Sequence, residues 1–234
     1  MPAYSLQLRS NLMFLEHNGL WLIDTGSPFS VSSRVETICL DGIECPLRRR
    51  LPGFAIEDLT EIIGFEATGL LGGDILNRFD WIFDLANQTI TVTAGELDLP
   101  GARLPLEGFF SVPAISATVR GELIRALLDS GAELSYFPPR LLEGCAIGEQ
   151  FRDFNPYLGW FDVDLHEVSA QIGNSQFILR SGTVRDEIQI LAMTLQLAGA
   201  SGLIGNQIFH DRRVGYFPRR GTLILDGSNG HAAA

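Results

Sequence analysis

The sequence predicts a mostly-β chain with a few short helices, built from two copies of one strand-and-turn pattern. Three observations predict it. Short apolar or alternating runs recur along the 234 residues, separated by Gly, Pro, Asn and Asp, which is how strands and turns are punctuated. A carboxylate ends an apolar run twice, in "WLIDTGSPFS" (Trp21 to Ser30) and "RALLDSGAELS" (Arg125 to Ser135). An apolar-apolar-Gly segment follows each: "GLLGGDILNRFDWIFDLANQTITV" from Gly69 and "GLIGNQIFHDRRVGYFPRRGTLIL" from Gly202.

The elements follow in order. "YSLQL" and "LMFLEHNGLWLID" read as strands, with Asn18-Gly19 supplying the positive φ of a hairpin turn. "GDILNRF" (Gly73 to Phe79) reads as a short helix and "WIFDLANQTITV" as a strand pair. The polar, turn-rich "AGELDLPGARLP" marks a boundary between residues 1–98, which carry Asp24, and 99–234, which carry Asp129. "SVPAISATV" and "LIRALLD" are strands again. "PPRLLEG" has the Pro entry and Gly exit of a short helix. "VDLHEVSAQIGNSQFILRSGTV" is a hairpin turning at Gly173-Asn174, and "NQIFHD" is the second copy of the "GDILNRF" helix. The tail from about residue 227, "GSNGHAAA", reads as disordered.

Laid on one another without gaps, the glycine segments match Gly69 with Gly202, Leu70 with Leu203, Gly72 with Gly205, Ile75 with Ile208 and Thr89 with Thr222, a constant offset of 133 residues. The carboxylate turns are offset by 105, so the second copy is 28 residues longer between turn and glycine motif. Two copies describe a duplicated lobe rather than a solenoid, and an insertion of that size belongs in surface loops.

Composition removes several function classes. A formal net charge of -11 opposes nucleic acid as a partner, because phosphates are repelled. Arg48-Arg49-Arg50 is the basic exception, read either as a solvated loop or as a contact for an acidic ligand group. No apolar run approaches the roughly 18 residues of a membrane-spanning helix, so no membrane partner is expected. "MPAYSLQLRS" lacks a basic start leading into an apolar stretch; without a signal peptide the expected location is cytoplasmic. Three cysteines, an odd count, favour free thiols, with a Cys39–Cys45 closure left open. No Cys-x-x-Cys or His-rich spacing suggests zinc.

With these motifs in hand, the chain resembles the aspartic proteases of the pepsin and retropepsin clan. The resemblance rests on Asp24-Thr25-Gly26-Ser27, on Asp129-Ser130-Gly131-Ala132, and on Leu70-Leu71-Gly72 and Leu203-Ile204-Gly205. It implies a bilobal pepsin-like acid protease fold, two β-barrel-like lobes of retropepsin size related by a pseudo-twofold axis. It further implies an aspartic endopeptidase with Asp24 and Asp129 as the catalytic pair, an extended peptide or protein as substrate, no metal or organic cofactor, and a monomer sufficient for activity. Thr25 and Ser130 would bond across to the opposite loop, and Gly26 and Gly131 would let the loops approach. The two carboxyls would share one proton, since like charges at such range do not both ionise; the aspartic proteases are themselves the familiar example of this effect. A water between them would add to the peptide carbonyl, giving a tetrahedral diol with no covalent intermediate.

The two loops differ at their fourth residue. Ser27 is expected to donate a hydrogen bond towards Asp24, which Ala132 cannot do for Asp129. On that reading the proton sits on Asp129, and Ala132→Ser moves the pH–rate profile towards acid. A substrate-covering hairpin is expected within Ile43 to Ile63, where Phe54 is a candidate substrate contact and the pepsin flap tyrosine has no match. The matching hairpin of the second half includes "DFNPYLGWFDVD", with Tyr157 and Trp160 as candidate substrate contacts and core packing as the alternative.

Other readings fit less well. His17, His166, His210 and His231 have no nucleophile motif beside them, and "GLLGGD" lacks the Gly-Lys-Ser/Thr ending of a phosphate loop. A glycosidase also uses two carboxylates but has no need of matching turns in duplicated lobes. The rival to proteolysis is a catalytically weak or inactive peptide-binding module on the same fold.

Overall fold

The computed structural model describes residues 2–51, 56–155, 159–184 and 189–227. It is mostly β, with 51% of residues in strands and 14% in helix. In chain order the first ten strands are β1 (Ala3–Arg9), β2 (Leu12–Glu16), β3 (Leu20–Ile23), β4 (Thr37–Leu40), β5 (Ile43–Pro46), β6 (Gly69–Leu71), β7 (Asp80–Asp84), β8 (Thr89–Thr93), β9 (Ala102–Pro105) and β10 (Glu107–Phe109). The rest are β11 (Val112–Val119), β12 (Glu122–Leu128), β13 (Ser135–Phe137), β14 (Ile147–Asn155), β15 (Gly159–Ile172), β16 (Ser175–Thr183), β17 (Gly202–Ile204), β18 (Arg213–Phe217) and β19 (Thr222–Leu225). The helices are α1 (Ile56–Ile63), α2 (Gly73–Leu76), α3 (Pro139–Leu142) and α4 (Gln189–Leu197), with a 3₁₀ turn at Asn206–Phe209.

The strands form a nine-stranded sheet in the order β6-β3-β2-β1-β8-β7-β18-β19-β9, an eight-stranded sheet in the order β10-β11-β12-β17-β13-β16-β15-β14, and the separate β4–β5 hairpin. The duplication read from the sequence reappears as repeated pairing. β3 runs parallel to β6 with Trp21 opposite Gly69 and Ile23 opposite Leu71. β12 runs parallel to β17 with Ala126 opposite Gly202 and Leu128 opposite Ile204, the same register under the same two offsets. α2 and the 3₁₀ turn at Asn206–Phe209 occupy matching positions after them.

The two copies meet at β7 and β18. Trp81 pairs with Tyr216 and Phe83 with Val214, each pair the image of the other under the 133-residue offset, and Ile82 pairs with its own counterpart Gly215. This is self-complementary pairing, as at a twofold interface. One consequence is that the nine-stranded sheet contains strands from both sides of residue 98, since β9, β18 and β19 join it. Burial follows the alternation expected of strands with a covered face. Met13, Leu15, Trp81, Phe83, Ile90, Phe209, Tyr216 and Leu223 are all buried in one cluster.

Two helices fall where the sequence reading drew none. α1 buries Ile56, Leu59 and Ile63, an i, i+3, i+7 stripe that packs on Phe14, Leu22 and Val31. α4 buries Leu195 and the following Ala198 against Val112, Ala114 and Leu127. The Cys39–Cys45 closure is also settled. Ile38 pairs with Cys45 and Cys39 with Glu44, so the two thiols project from opposite faces of the hairpin, and all three cysteines are free.

The segment between the copies is pinned rather than loose. Leu97 and Leu99 are buried against Phe217 and Ile224. Asp80, fully buried, accepts the Leu97 N–H at 3.1 Å and Arg219 at 3.0 Å, and it also pairs with Arg220. Asp80→Asn leaves two guanidiniums facing a neutral amide. We expect a loss of about 2–3 kcal/mol in denaturant unfolding, below the range for a fully enclosed pair because both arginines keep some solvent exposure.

Candidate active site

Asp24 and Asp129 arrive at one point because each ends a strand held from the side. The Asp24 N–H donates to the Leu71 carbonyl at 3.0 Å and the Asp129 N–H to the Ile204 carbonyl at 2.9 Å. Each carboxylate is therefore fixed by the last residues of its own apolar-apolar-Gly strand. This explains why the two motifs occur in pairs: the turn presents the acid, and the glycine strand sets its depth.

The loops lock to one another through four buried hydrogen bonds. The Thr25 N–H donates to Ser130 Oγ at 2.9 Å, and the Ser130 N–H donates to Thr25 Oγ1 at 2.9 Å. Thr25 Oγ1 donates to the Leu128 carbonyl at 2.7 Å, and Ser130 Oγ donates to the Ile23 carbonyl at 2.8 Å. The arrangement is reciprocal, each hydroxyl accepting from one backbone group and donating to another across the axis.

Between these loops the carboxyls of Asp24 and Asp129 are within hydrogen-bonding reach of each other. Glycine is required beside them by space rather than by backbone angle. A Cβ on Gly26 would lie 2.2 Å from Asp129 Cγ, and one on Gly131 would lie 2.5 Å from Asp24 Cγ. Each carboxylate rests on the bare backbone of the opposite loop. The Ser27 N–H donates to Asp24 Oδ1 at 2.9 Å and the Gly131 N–H to Asp129 Oδ1 at 2.9 Å.

Burial raises the pKa of both acids. Asp129 is raised well above the usual carboxylate range, because the charge of Asp24 adds to its burial. Backbone N–H groups of Ser27 and Gly26 oppose the rise at Asp24. The geometry is that of an acid pair able to keep one proton, assigned to Asp129, while Asp24 is ionised.

The reason given for that proton from sequence needs correction. The Ser27 hydroxyl does not reach Asp24; it donates to the Phe29 carbonyl at 2.8 Å, and only the Ser27 backbone N–H serves the carboxylate. By the repeat, a hydroxyl at position 132 faces the Leu134 carbonyl. Ala132→Ser is therefore expected to leave the pH–rate profile within about 0.3 units of wild type, far less than the one-unit scale of a direct hydrogen bond to a carboxylate. A full titration of rate against pH for both proteins checks this.

A second layer escaped the sequence reading. The Gly72 N–H donates to Ser30 Oγ at 2.8 Å and the Gly205 N–H to Ser135 Oγ at 3.1 Å. Ser30 donates in turn to Asp74 Oδ1 through both its N–H, at 2.8 Å, and its hydroxyl, at 2.6 Å. These serines bind each carboxylate turn to its glycine strand. The signal was available: Ser30 and Ser135 stand at the 105-residue offset of the two acids.

The substrate-side expectations divide. Phe54 and Tyr157 lie outside the described residues, as do His231 and the tail from residue 228. Of the segment Ile43 to Ile63, in which a covering hairpin was expected, residues 52–55 lie outside the described residues. Ile43–Pro46 is β5, paired to β4 with Leu40 and Cys45 in the core, and Ile56–Ile63 is α1. The long hairpin belongs to the second half, where β14 and β15 pair from Ile147–His166 to Asn155–Gly159. Its base lies over Leu134, Tyr136 and Leu203 through Phe151, Phe161, Val163 and Leu165, and the Tyr136 hydroxyl donates to Asp153. Trp160 stands on this hairpin, 48% exposed and edge-on to Phe154 at 5.5 Å; it is not a core residue.

His17 packs edge-on against Tyr4, and burial lowers the pKa of His210. No family model matches the chain, and no curated protein matches it in sequence.

Proposed function

We propose that the protein is an aspartic endopeptidase with a pepsin-like arrangement of two related lobes, acting through Asp24 and Asp129. The single observation that carries the reading is the reciprocal lock of Thr25 and Ser130, which holds two half-buried carboxyls in mutual hydrogen-bond reach on matching turns. A structural turn has no use for such a pair, because bringing two acids together raises their pKa values at the expense of stability.

In the proposed reaction ionised Asp24 takes a proton from a water lying between the acids. Protonated Asp129 donates to the carbonyl oxygen of the scissile bond. Water oxygen bonds to the carbonyl carbon, giving a gem-diol. The proton gained by Asp24 passes to the departing amine as the C–N bond breaks, and the diol collapses to the carboxylic acid, returning a proton to Asp129. An extended peptide laid beside the β14–β15 hairpin gains main-chain hydrogen bonds in the manner of an added strand.

The test is hydrolysis of a mixture of denatured proteins, from acid to mildly alkaline pH, by wild type and by Asp24→Asn. Cleavage by wild type alone supports the reading. Cleavage that survives the substitution removes Asp24 from the mechanism, and peptide binding without cleavage by wild type makes the protein a binding module.

A further inference from the structure

The basic run Arg48-Arg49-Arg50 is not used by the proposed chemistry, and the repeat shows what is unusual about its surroundings. Phe29 lies five residues after Asp24; its counterpart at the 105-residue offset is Leu134. Leu134 is fully buried beneath the β14–β15 hairpin, among Tyr136, Val163 and Leu203. Phe29 has no such cover among the described residues and is 37% exposed. A guanidinium takes the place of the hairpin: Arg48 Cζ lies 3.8 Å from the centre of the Phe29 ring.

Both partners are fixed by backbone. The Arg48 N–H donates to the Ser30 carbonyl at 3.2 Å, and the Ser32 N–H donates to the Arg48 carbonyl at 2.9 Å. The Phe29 carbonyl accepts the Ser27 hydroxyl, and the Ser27 N–H holds Asp24. The platform is thus tied to one member of the acid pair. Five residues of extended chain span at most about 17 Å, which is also the reach of about five residues of a bound peptide.

Stacking occupies one face of a guanidinium and leaves its five N–H donors, which lie in the plane at its edge, for a planar anion. Arg49 is paired with Glu36 at 3.0 Å. Among the described residues Arg48 has no carboxylate within ion-pair distance, so its charge is available. On a chain of net charge -11, one cation fixed on Phe29, five residues along the chain from Asp24, marks a local preference rather than a general attraction.

We propose that Arg48, laid on Phe29, recognises an acidic side chain of the substrate and makes the enzyme selective for peptides with Glu or Asp within about five residues of the scissile bond. The proposal rests on the peptidase reading of the Asp24–Asp129 site.

The test uses a cleaved fluorogenic peptide rebuilt with Glu, Gln or Lys at each of the five positions on either side of the bond. The expected result is one position where Glu raises kcat/KM about fivefold over Gln, as suits one partly exposed ion pair, with the preference fading as salt is added. Arg48→Gln abolishes that preference, so that Glu and Gln peptides are cleaved with equal kcat/KM, and Arg48→Glu transfers it to Lys. The same peptides are titrated onto Asp129→Asn, with and without Arg48→Gln, to read binding alone. If nothing is cleaved but the Glu peptide still binds more tightly through Arg48, the selectivity stands and the peptidase reading falls. A Glu preference that survives Arg48→Gln, or no preference at any position in cleavage or binding, overturns the proposal.

Discussion

Asp129→Asn should produce a folded protein that is more resistant to heat near neutral pH than wild type and unable to hydrolyse peptide bonds. The two effects share one cause. Burial and the charge of Asp24 push the Asp129 pKa well above the value near 3.9 of an unfolded chain. Between the unfolded and folded values the native state binds more protons than the unfolded state, so wild-type stability falls as pH rises through that window. Asn carries no charge and does not undergo this loss. The stability gain should therefore be present at neutral pH and vanish at pH values below the unfolded carboxylate pKa; melting curves at the two extremes measure it. Activity should fall by at least about 10³-fold, since general acid–base catalysis is worth roughly 10²–10⁴-fold and Asp129 donates to the carbonyl in the proposed step. Asp24→Asn should be equally inactive. A variant that melts lower than wild type at neutral pH would show that the two carboxyls are not held against their charge.

Thr25→Val should be the most damaging change outside the acids. The side chains are close in volume, but the substitution removes the acceptor for the Ser130 N–H and the donor to the Leu128 carbonyl, both buried. An unpartnered buried group costs about 1–3 kcal/mol, so a loss of about 2–4 kcal/mol in stability is expected. The released loop no longer fixes the distance between the carboxyls, and a displacement of about 1 Å costs on the order of a hundredfold in rate. Thr25→Ser keeps the hydroxyl and should retain most of both. Ser130→Ala breaks the other half of the same lock, so the double variant should lose less than the sum of the two singles. Additive losses would mean that the two hydroxyls work independently, and that the reciprocal arrangement carries no energy of its own.

Much of the site was legible because its parts repeat. Asp24 and Asp129, with their glycines and hydroxyls, could be found from one offset, and the glycine strands from another. Ser30 and Ser135 sat at the first offset and were passed over, because a serine closing a turn is ordinary until its hydroxyl is seen to accept the N–H of Gly72 or Gly205. The Ser27 hydroxyl was assigned a partner from proximity in sequence, yet the Phe29 carbonyl two residues on offered it a better-placed acceptor. The long β14–β15 hairpin falls in the second half, where the sequence reading placed the segment containing Trp160. α1 was hidden for a different reason: eight residues are too few for a helical period to stand out from the alternation of strands around it.

The sequence by itself determined that the chain is strand-rich, that it contains one pattern twice, and which two acids end its matching turns. Those properties are local or periodic, and side-chain chemistry along the chain is enough to express them. Only the tertiary structure decided that the acids touch, that Thr25 and Ser130 bond reciprocally, that β7 and β18 pair across the axis of the repeat, and that Phe29 is covered by Arg48 where Leu134 is covered by a hairpin. Each of these joins residues roughly 20 to 140 positions apart. Their distances are set by how two sheets pack, which the order of residues leaves open.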